Sequence, residues 1–296
     1  MSISPPEAMV LEETHVPTAD LRQEALDAMR VMTAEEAARK RRAARRTRIA
    51  QRVACLLFGL VLLGYWEWAA QTGRIHDLIA PAPSEIVRHI PTLVTAEYFM
   101  RNLKVTLIEL AIGFSLGIAA GVLLGTAVSV SSFTKAVIQP YIIALQAPPK
   151  VLLAPLFVTW FGFGMASKIV MAVVISFFPL FVNTVAGLTS VNPEAERLMR
   201  SLTASRRQMF FKVLLPNALP LIFAGLKLCW TLAVIGVVVA EFIGASAGIG
   251  YLIQSFNFQL DMLGVFSLII LLSASTVAVF WLLETLERKL VFWDRL

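Results

Sequence analysis

The sequence predicts an all-α polytopic membrane protein with about six transmembrane helices and a short helix in one of its loops. Three observations carry this prediction. Of the 296 residues, 16% are charged and 57% hydrophobic, whereas a soluble domain carries roughly 25% charged residues; mean hydropathy is +0.73. Six apolar runs approach or exceed the roughly 20 residues needed to cross a bilayer: Val53 to Ala70, Val105 to Val130, Val137 to Phe161, Ile169 to Thr189, Ala218 to Ile243 and Met262 to Leu283. Lys and Arg alternate between the intervening loops as the positive-inside rule requires. Cys55 and Cys229 each sit inside an apolar run and read as small core residues, with no disulfide framework or zinc site.

In chain order, residues 1–52 form a cytoplasmic tail, expected to be mobile or a weak surface helix, because its polar, acid-rich first part buries too little apolar surface to offset folding entropy. Within it, residues 39–48 carry seven positive charges in ten positions. Placed directly before the first span, that cluster reads as a topological anchor beside the membrane lipid rather than a nucleic-acid or anionic-lipid binding site, and sets the N-terminus inside. Residues 53–290 form the transmembrane domain, with a cytoplasmic loop at 190–217, and residues 291–296 a cytoplasmic C-terminus.

Loop charges follow that orientation. Arg197, Arg200, Arg206, Arg207 and Lys212 precede the fifth span, and Arg288, Lys289 and Arg295 follow the sixth, while the stretch from Gly244 to Asp261 has no Lys or Arg. The loop from Gln71 to Lys104 is mixed. In the second span Gly113, Gly117, Gly121 and Gly125 recur every fourth residue, a narrow face that lets a neighbouring helix approach. Pro140, Pro148, Pro149 and Pro155 must break or kink the third span, which then either lines a cavity or is a kinked packing helix.

Ionisable groups at membrane depth are expensive, about 2.5–3.5 kcal/mol each on insertion scales when central, so they mark a cavity, a partner or an interface. Glu109 reads as a residue of a solute route or a buried ion pair. Lys150, following the Pro148-Pro149 break, can attract an anionic solute if both line one cavity. Lys227 reads as a snorkelling side chain, and Glu241 equally as snorkelling or functional. Trp160, Trp230 and Trp281 read as belt aromatics, with stacking on a planar solute as the alternative. Asn183 is equally a packing hydrogen bond or a ligand. His76 and His89 lie in the first outside loop without further ligands for a metal.

The loop from Asn192 to Pro216 has its own local grammar. Asn192 caps a helix, Pro193 takes the first position, and Glu194 and Glu196 complement the orphan amides of the first turn. Leu198, Leu202, Met209 and Phe210 supply an apolar stripe, so the sequence predicts an amphipathic helix over 193–211 that lies on lipid or docks into a partner groove.

This segment resembles the cytoplasmic loop of ABC importer permeases, whose pattern is Glu-Ala-Ala, three residues, Gly, nine residues, then Ile-x-Leu-Pro. Val213, Leu215 and Pro216 match its end, which puts Thr203 at the glycine and Arg197-Leu198-Met199 at Glu-Ala-Ala. Pro81-Ala82-Pro83-Ser84-Glu85, Trp160-Phe161-Gly162-Phe163-Gly164, Ser167-Lys168-Ile169, Phe178-Pro179 and Ala240-Glu241-Phe242-Ile243-Gly244 with Gly248-Ile249-Gly250-Tyr251 resemble the nitrate, sulfonate and taurine type of permease from about Trp66 onward.

The resemblance implies the type I ABC importer permease architecture, with Leu202, Thr203, Ala204, Ser205, Arg206, Phe210, Leu215 and Pro216 coupling to ATPases. Glu109, Lys150, Trp160, Asn183, Trp230 and Glu241 are the candidates for the translocation route. Implied partners are a second permease chain, two cytoplasmic ATPase subunits and an external binding protein, in a bacterial inner membrane. ATP and Mg would act on the ATPases, with no cofactor on this chain. Consistently, Gly162 to Lys168 has the wrong spacing for a phosphate loop. Members for pyrimidine or thiamine-precursor uptake and aromatic carboxylate uptake look most similar. An ion-coupled secondary transporter of a small organic anion is the alternative, but no inverted repeat is visible, and a membrane enzyme would need a convergent polar set that the spans lack.

Overall fold

The computed structural model describes residue 47 and residues 49–129 and 131–295, and contacts divide the chain between Tyr65 and Trp66. Most of the basic anchor at 39–48 and of the 1–52 tail lies outside the described residues. Helix α1 runs Ile49–Gln71. Up to Tyr65 it exposes Leu56, Phe58, Leu60 and Val61, an apolar surface suited to lipid rather than water.

From Trp66 onward the described residues hold helices and no strand: α2 (Pro83–Thr95), α3 (Glu97–Ser129), α4 (Ser132–Gln146), a 3-10 turn (Lys150–Leu153), α5 (Ala154–Phe161), α6 (Met165–Thr189), α7 (Pro193–Ser201), α8 (Arg206–Met209), α9 (Leu215–Gly244), α10 (Ile249–Phe258) and α11 (Met262–Leu290). Five helical stretches are long and apolar enough to cross a membrane, and the bent pair α4 and α5 brings the number to six. The proline reading of the third span is realised as a break after Gln146 at which the two halves turn by 78°. The two largest boundary differences from the sequence reading are at the second and fifth spans. Helix α3 starts at Glu97, eight positions before Val105, and α8 runs without interruption into α9, so that Arg206–Gly244 is one helix of 39 residues.

The core is a layer in which α6 packs against both α3 and α9. The glycine stripe makes the first contact possible: a Cβ added at Gly125 would stand 2.8 Å from Cβ of Thr184, and one at Gly121 3.1 Å from Cβ of Leu180. Across the second contact Leu110, Ala172, Trp230, Ala233 and Val237 form one buried cluster. Phe114 meets the edge of Trp230 with ring centroids 5.4 Å apart, and the Trp230 indole N–H donates to the Thr276 carbonyl at 3.0 Å. Trp230 is thereby a packing residue inside the chain.

The two ends of this layer differ. At the far end, Leu93, Phe99, Ile249, Leu252, Val265 and Leu268 form a second cluster that ties α2 and the starts of α3 and α11 to α10. There Glu67 acts as a remote cap for α2, its carboxylate accepting from the Ser84 amide at 2.9 Å and the Ser84 hydroxyl at 2.6 Å. At the loop end, α6 delivers the chain to α7, and Leu188, Ala218 and Ile222 pack around the start of α9.

Candidate functional site

Helix α7 begins as its sequence dictates, with the Asn192 side chain accepting from the Glu194 amide at 2.9 Å and Pro193 at the first position. It then stops after one short stretch, which corrects the expectation of a single helix over 193–211. The reason is a Schellman turn. The Thr203 amide donates to the Arg200 carbonyl and the Ala204 amide to the Met199 carbonyl, both at 3.0 Å, and Thr203 itself takes φ +55°. This left-handed backbone is the conformation that glycine adopts without strain, so the geometry explains why the resembling pattern carries Gly at that place.

Ser205 restarts the helix by a capping box, its hydroxyl accepting from the Gln208 amide at 3.3 Å while its own amide donates to the Gln208 side chain at 2.8 Å. Between Phe210 and Leu214 the backbone widens into a π-turn, with the Leu215 amide reaching the Phe210 carbonyl, just before Pro216 withdraws a donor. The outcome separates two neighbouring phenylalanines. Phe210 packs on the Leu188, Ala218 and Ile222 cluster together with Leu215, whereas Phe211 points outward beneath the Arg207 guanidinium, 6.0 Å from its ring centre. Leu198 and Leu202 are also exposed, at 61% and 65%. Arg206 is exposed, and Ala204 and Pro216 are half-buried. The loop therefore offers Leu198, Leu202 and Phe211 around a rigid turn.

Inside the far half of the layer lies a polar cluster that the sequence reading found only in part. Glu109 and Glu241 are buried, at 1% and 0% exposure, with their carboxyls facing each other. The Thr106 hydroxyl donates to Glu241 Oε1 at 2.7 Å, and the Gly250 amide donates to Glu241 Oε2 at 2.5 Å. The Asn102 side-chain oxygen accepts from the Gly248 amide at 2.7 Å. Lys168, fully buried, donates to the carbonyls of Phe163 and Gly244 and lies within electrostatic reach of both carboxyls. Gly248 has φ +124°, and a Cβ there would strike the Glu241 carboxyl. These groups tie α3, α6 and α9 to the start of α10. Sequence reasoning missed Lys168, Thr106 and Asn102. The available signal was a stripe: Asn102, Thr106 and Glu109 continue into Gly113 on one face of α3.

The remaining candidates are scattered. Lys150 donates to the Gln146 carbonyl at 3.3 Å and stands 5.0 Å over the Phe178 ring, on the α6 side of the break. Trp160 on α5 is 66% exposed. Asn183 donates to the Pro179 carbonyl at 2.8 Å, and Gly225 closes on it so tightly that an added Cβ would lie 2.9 Å from Asn183 Cβ. Lys227 forms an ion pair with Glu287 on α11 at 2.7 Å, a partner within the chain for a charge at membrane depth.

Residues 117–292 match the family described as binding-protein-dependent transport system inner membrane component. The chain is 36% identical over 240 residues to the formylaminopyrimidine transport permease protein of Halalkalibacterium halodurans, covering 81% of this chain and 95% of that one. It is 32% identical to a putative aliphatic sulfonates transport permease protein of Bacillus subtilis, covering 80% and 86%, and 31% identical to the taurine transport system permease protein of Escherichia coli, covering 66% and 73%. Among solved structures, an amino acid ABC transporter superposes with a TM-score of 0.51 at 19% identity, over 72% of this chain and 98% of that chain, a likeness of fold.

Proposed function

Because this chain belongs to the family of binding-protein-dependent transport inner membrane components, the permease subunits of ABC importers, we propose that it carries a small organic solute from an external binding protein to the cytoplasm, powered by ATPases on separate chains. The observation that carries the coupling role is the loop at 193–214. Its exposed Leu198, Leu202 and Phe211 suit a groove on an ATPase surface. Directly behind them, Arg206–Gly244 is one uninterrupted helix, about 58 Å long at 1.5 Å per residue.

A tilt imposed on the loop is transmitted along that rod to Glu241 and Gly244, where the polar cluster clamps it to α3 and α6. In this reading Glu109, Lys168, Glu241 and Trp230 hold the moving body together, and Lys150, Trp160 and Asn183 remain the candidates for contact with solute. The loop end is cytoplasmic, as are both termini, in a bacterial inner membrane. The assembly has a second permease chain, in a homodimer, with two ATPase subunits that hold ATP and Mg, while this chain binds neither.

Reconstitution tests the reading. Proteoliposomes holding the chain with its ATPases and binding protein should accumulate solute only with ATP, and those holding the chain alone should be inert. Accumulation by the isolated chain, driven by an ion gradient, would overturn it.

A further inference from the structure

A cavity of about 520 Å³ opens at the loop end between α4 and α6, within the 300–1,000 Å³ range of small-molecule sites. Lys135, Gln139 and Gln146 face it from one side of α4, spaced as a single helical stripe, and Thr189, Phe181 and Val182 face it from α6. The Lys135 ammonium donates to the Thr189 hydroxyl at 3.1 Å, which leaves two of its three N–H groups for other acceptors. None of the ion pairs among the described residues includes Lys135. A half-buried cation beside amide and hydroxyl groups, with no carboxylate to balance it, favours an anion, and the apolar wall of Phe181 and Val182 favours an organic body attached to that anion. Lys150 stands over the same helix at Phe178, about 16 Å up its axis, so two ammonium groups flank one face of α6.

We infer that this cavity is a binding station for an organic oxyanion, a carboxylate, sulfonate or phosphate on a compact apolar body, with Lys135 as its charge contact. That the occupant is the transported solute rests on the permease reading; an anionic lipid headgroup presents the same chemistry.

The full chain in phosphatidylcholine nanodiscs is tested with naphthalene-2-sulfonate by equilibrium dialysis, and in discs spiked with phosphatidylglycerol by native mass spectrometry. Saturable sulfonate binding that weakens at least tenfold in Lys135→Gln and survives in Lys135→Arg supports the station with a soluble occupant. Lys135-dependent retention of phosphatidylglycerol alone supports it with a lipid occupant. Binding of both probes that is absent or unchanged by Lys135→Gln overturns it. The measurement needs no ATPase, so failure of ATP-driven uptake by the reconstituted transporter would count against the permease reading and leave the station standing.

Discussion

Thr106 and Glu241, 135 positions apart, share one proton-bearing contact: the Thr106 hydroxyl donates to Glu241 Oε1 at 2.7 Å and at the same time accepts from the Ile249 amide at 2.7 Å. The hydroxyl thus bridges α3, α9 and the first turn of α10 at a buried place. Thr106→Val keeps the shape and removes the bridge, leaving a buried amide and a carboxylate oxygen unmet, each at about 1–3 kcal/mol. The variant should unfold several degrees lower in detergent, as read by fluorescence-detected gel filtration after heating, while Thr106→Ser stays near wild type. An unshifted midpoint for Thr106→Val would show that the bridge contributes nothing.

Lys168 is the only cation of that cluster among the described residues, and its removal strands two facing carboxyls. Breaking a buried charge set by deleting one member costs about 3–5 kcal/mol, so Lys168→Met should fold poorly. Adding Glu109→Gln to it removes one of the two facing carboxyls and should restore a fraction of the folded yield, a non-additivity of about 0.5–3 kcal/mol between contacting groups. Glu109→Gln alone should transport normally per folded molecule, since Glu109 is buried in the packed interior. Strict additivity of the two substitutions would dissolve the cluster as a unit.

Which parts of this were readable from sequence follows from whether the deciding interaction is local. The start of α7 was legible because Asn192, Pro193 and Glu194 act on amides within one turn. The glycine stripe of α3 was legible because its spacing alone states the need for a close neighbour. Lys168 was not, because a lysine near the start of a span reads as an interfacial anchor, and its burial depends on a carbonyl supplied 76 positions later by Gly244. The partner of Lys227 was hidden for the same reason, Glu287 being 60 positions away. The choice between Phe210 and Phe211 was lost to the π-turn, whose extra residue shifts the helical register that the apolar stripe assumed.

That register shift has a measurable consequence at the loop. Phe211→Ala and Leu202→Ala remove exposed apolar contacts and should each weaken ATPase binding by about 1–2 kcal/mol, roughly tenfold, with the thermal midpoint of the permease unchanged. Phe210→Ala instead opens a gap beside Leu188 and Ile222 and should lower the midpoint. Surface plasmon resonance of the ATPase on immobilised permease separates the two classes. Tight ATPase binding by the Leu202→Ala, Phe211→Ala double variant would remove the loop from the coupling interface.

Thr203 holds a conformation that a β-branched side chain resists, at φ +55°, between two carbonyls that the Schellman turn must satisfy. Left-handed backbone costs a non-glycine residue about 1–2 kcal/mol, and Gly returns part of that gain as extra freedom in the unfolded chain. Thr203→Gly should therefore leave the turn intact and modestly tighter, seen as slower hydrogen exchange across residues 199–206 with uptake at or above wild type. Thr203→Pro fixes φ near −65° and deletes the amide that reaches Arg200, so it should unlock α7 from α8, speed exchange over the same residues and abolish ATP-driven uptake while the spans still insert. Equal exchange in Thr203→Pro and wild type would mean that the turn, and with it the rigid presentation of Leu198 and Leu202, does not depend on the backbone of residue 203.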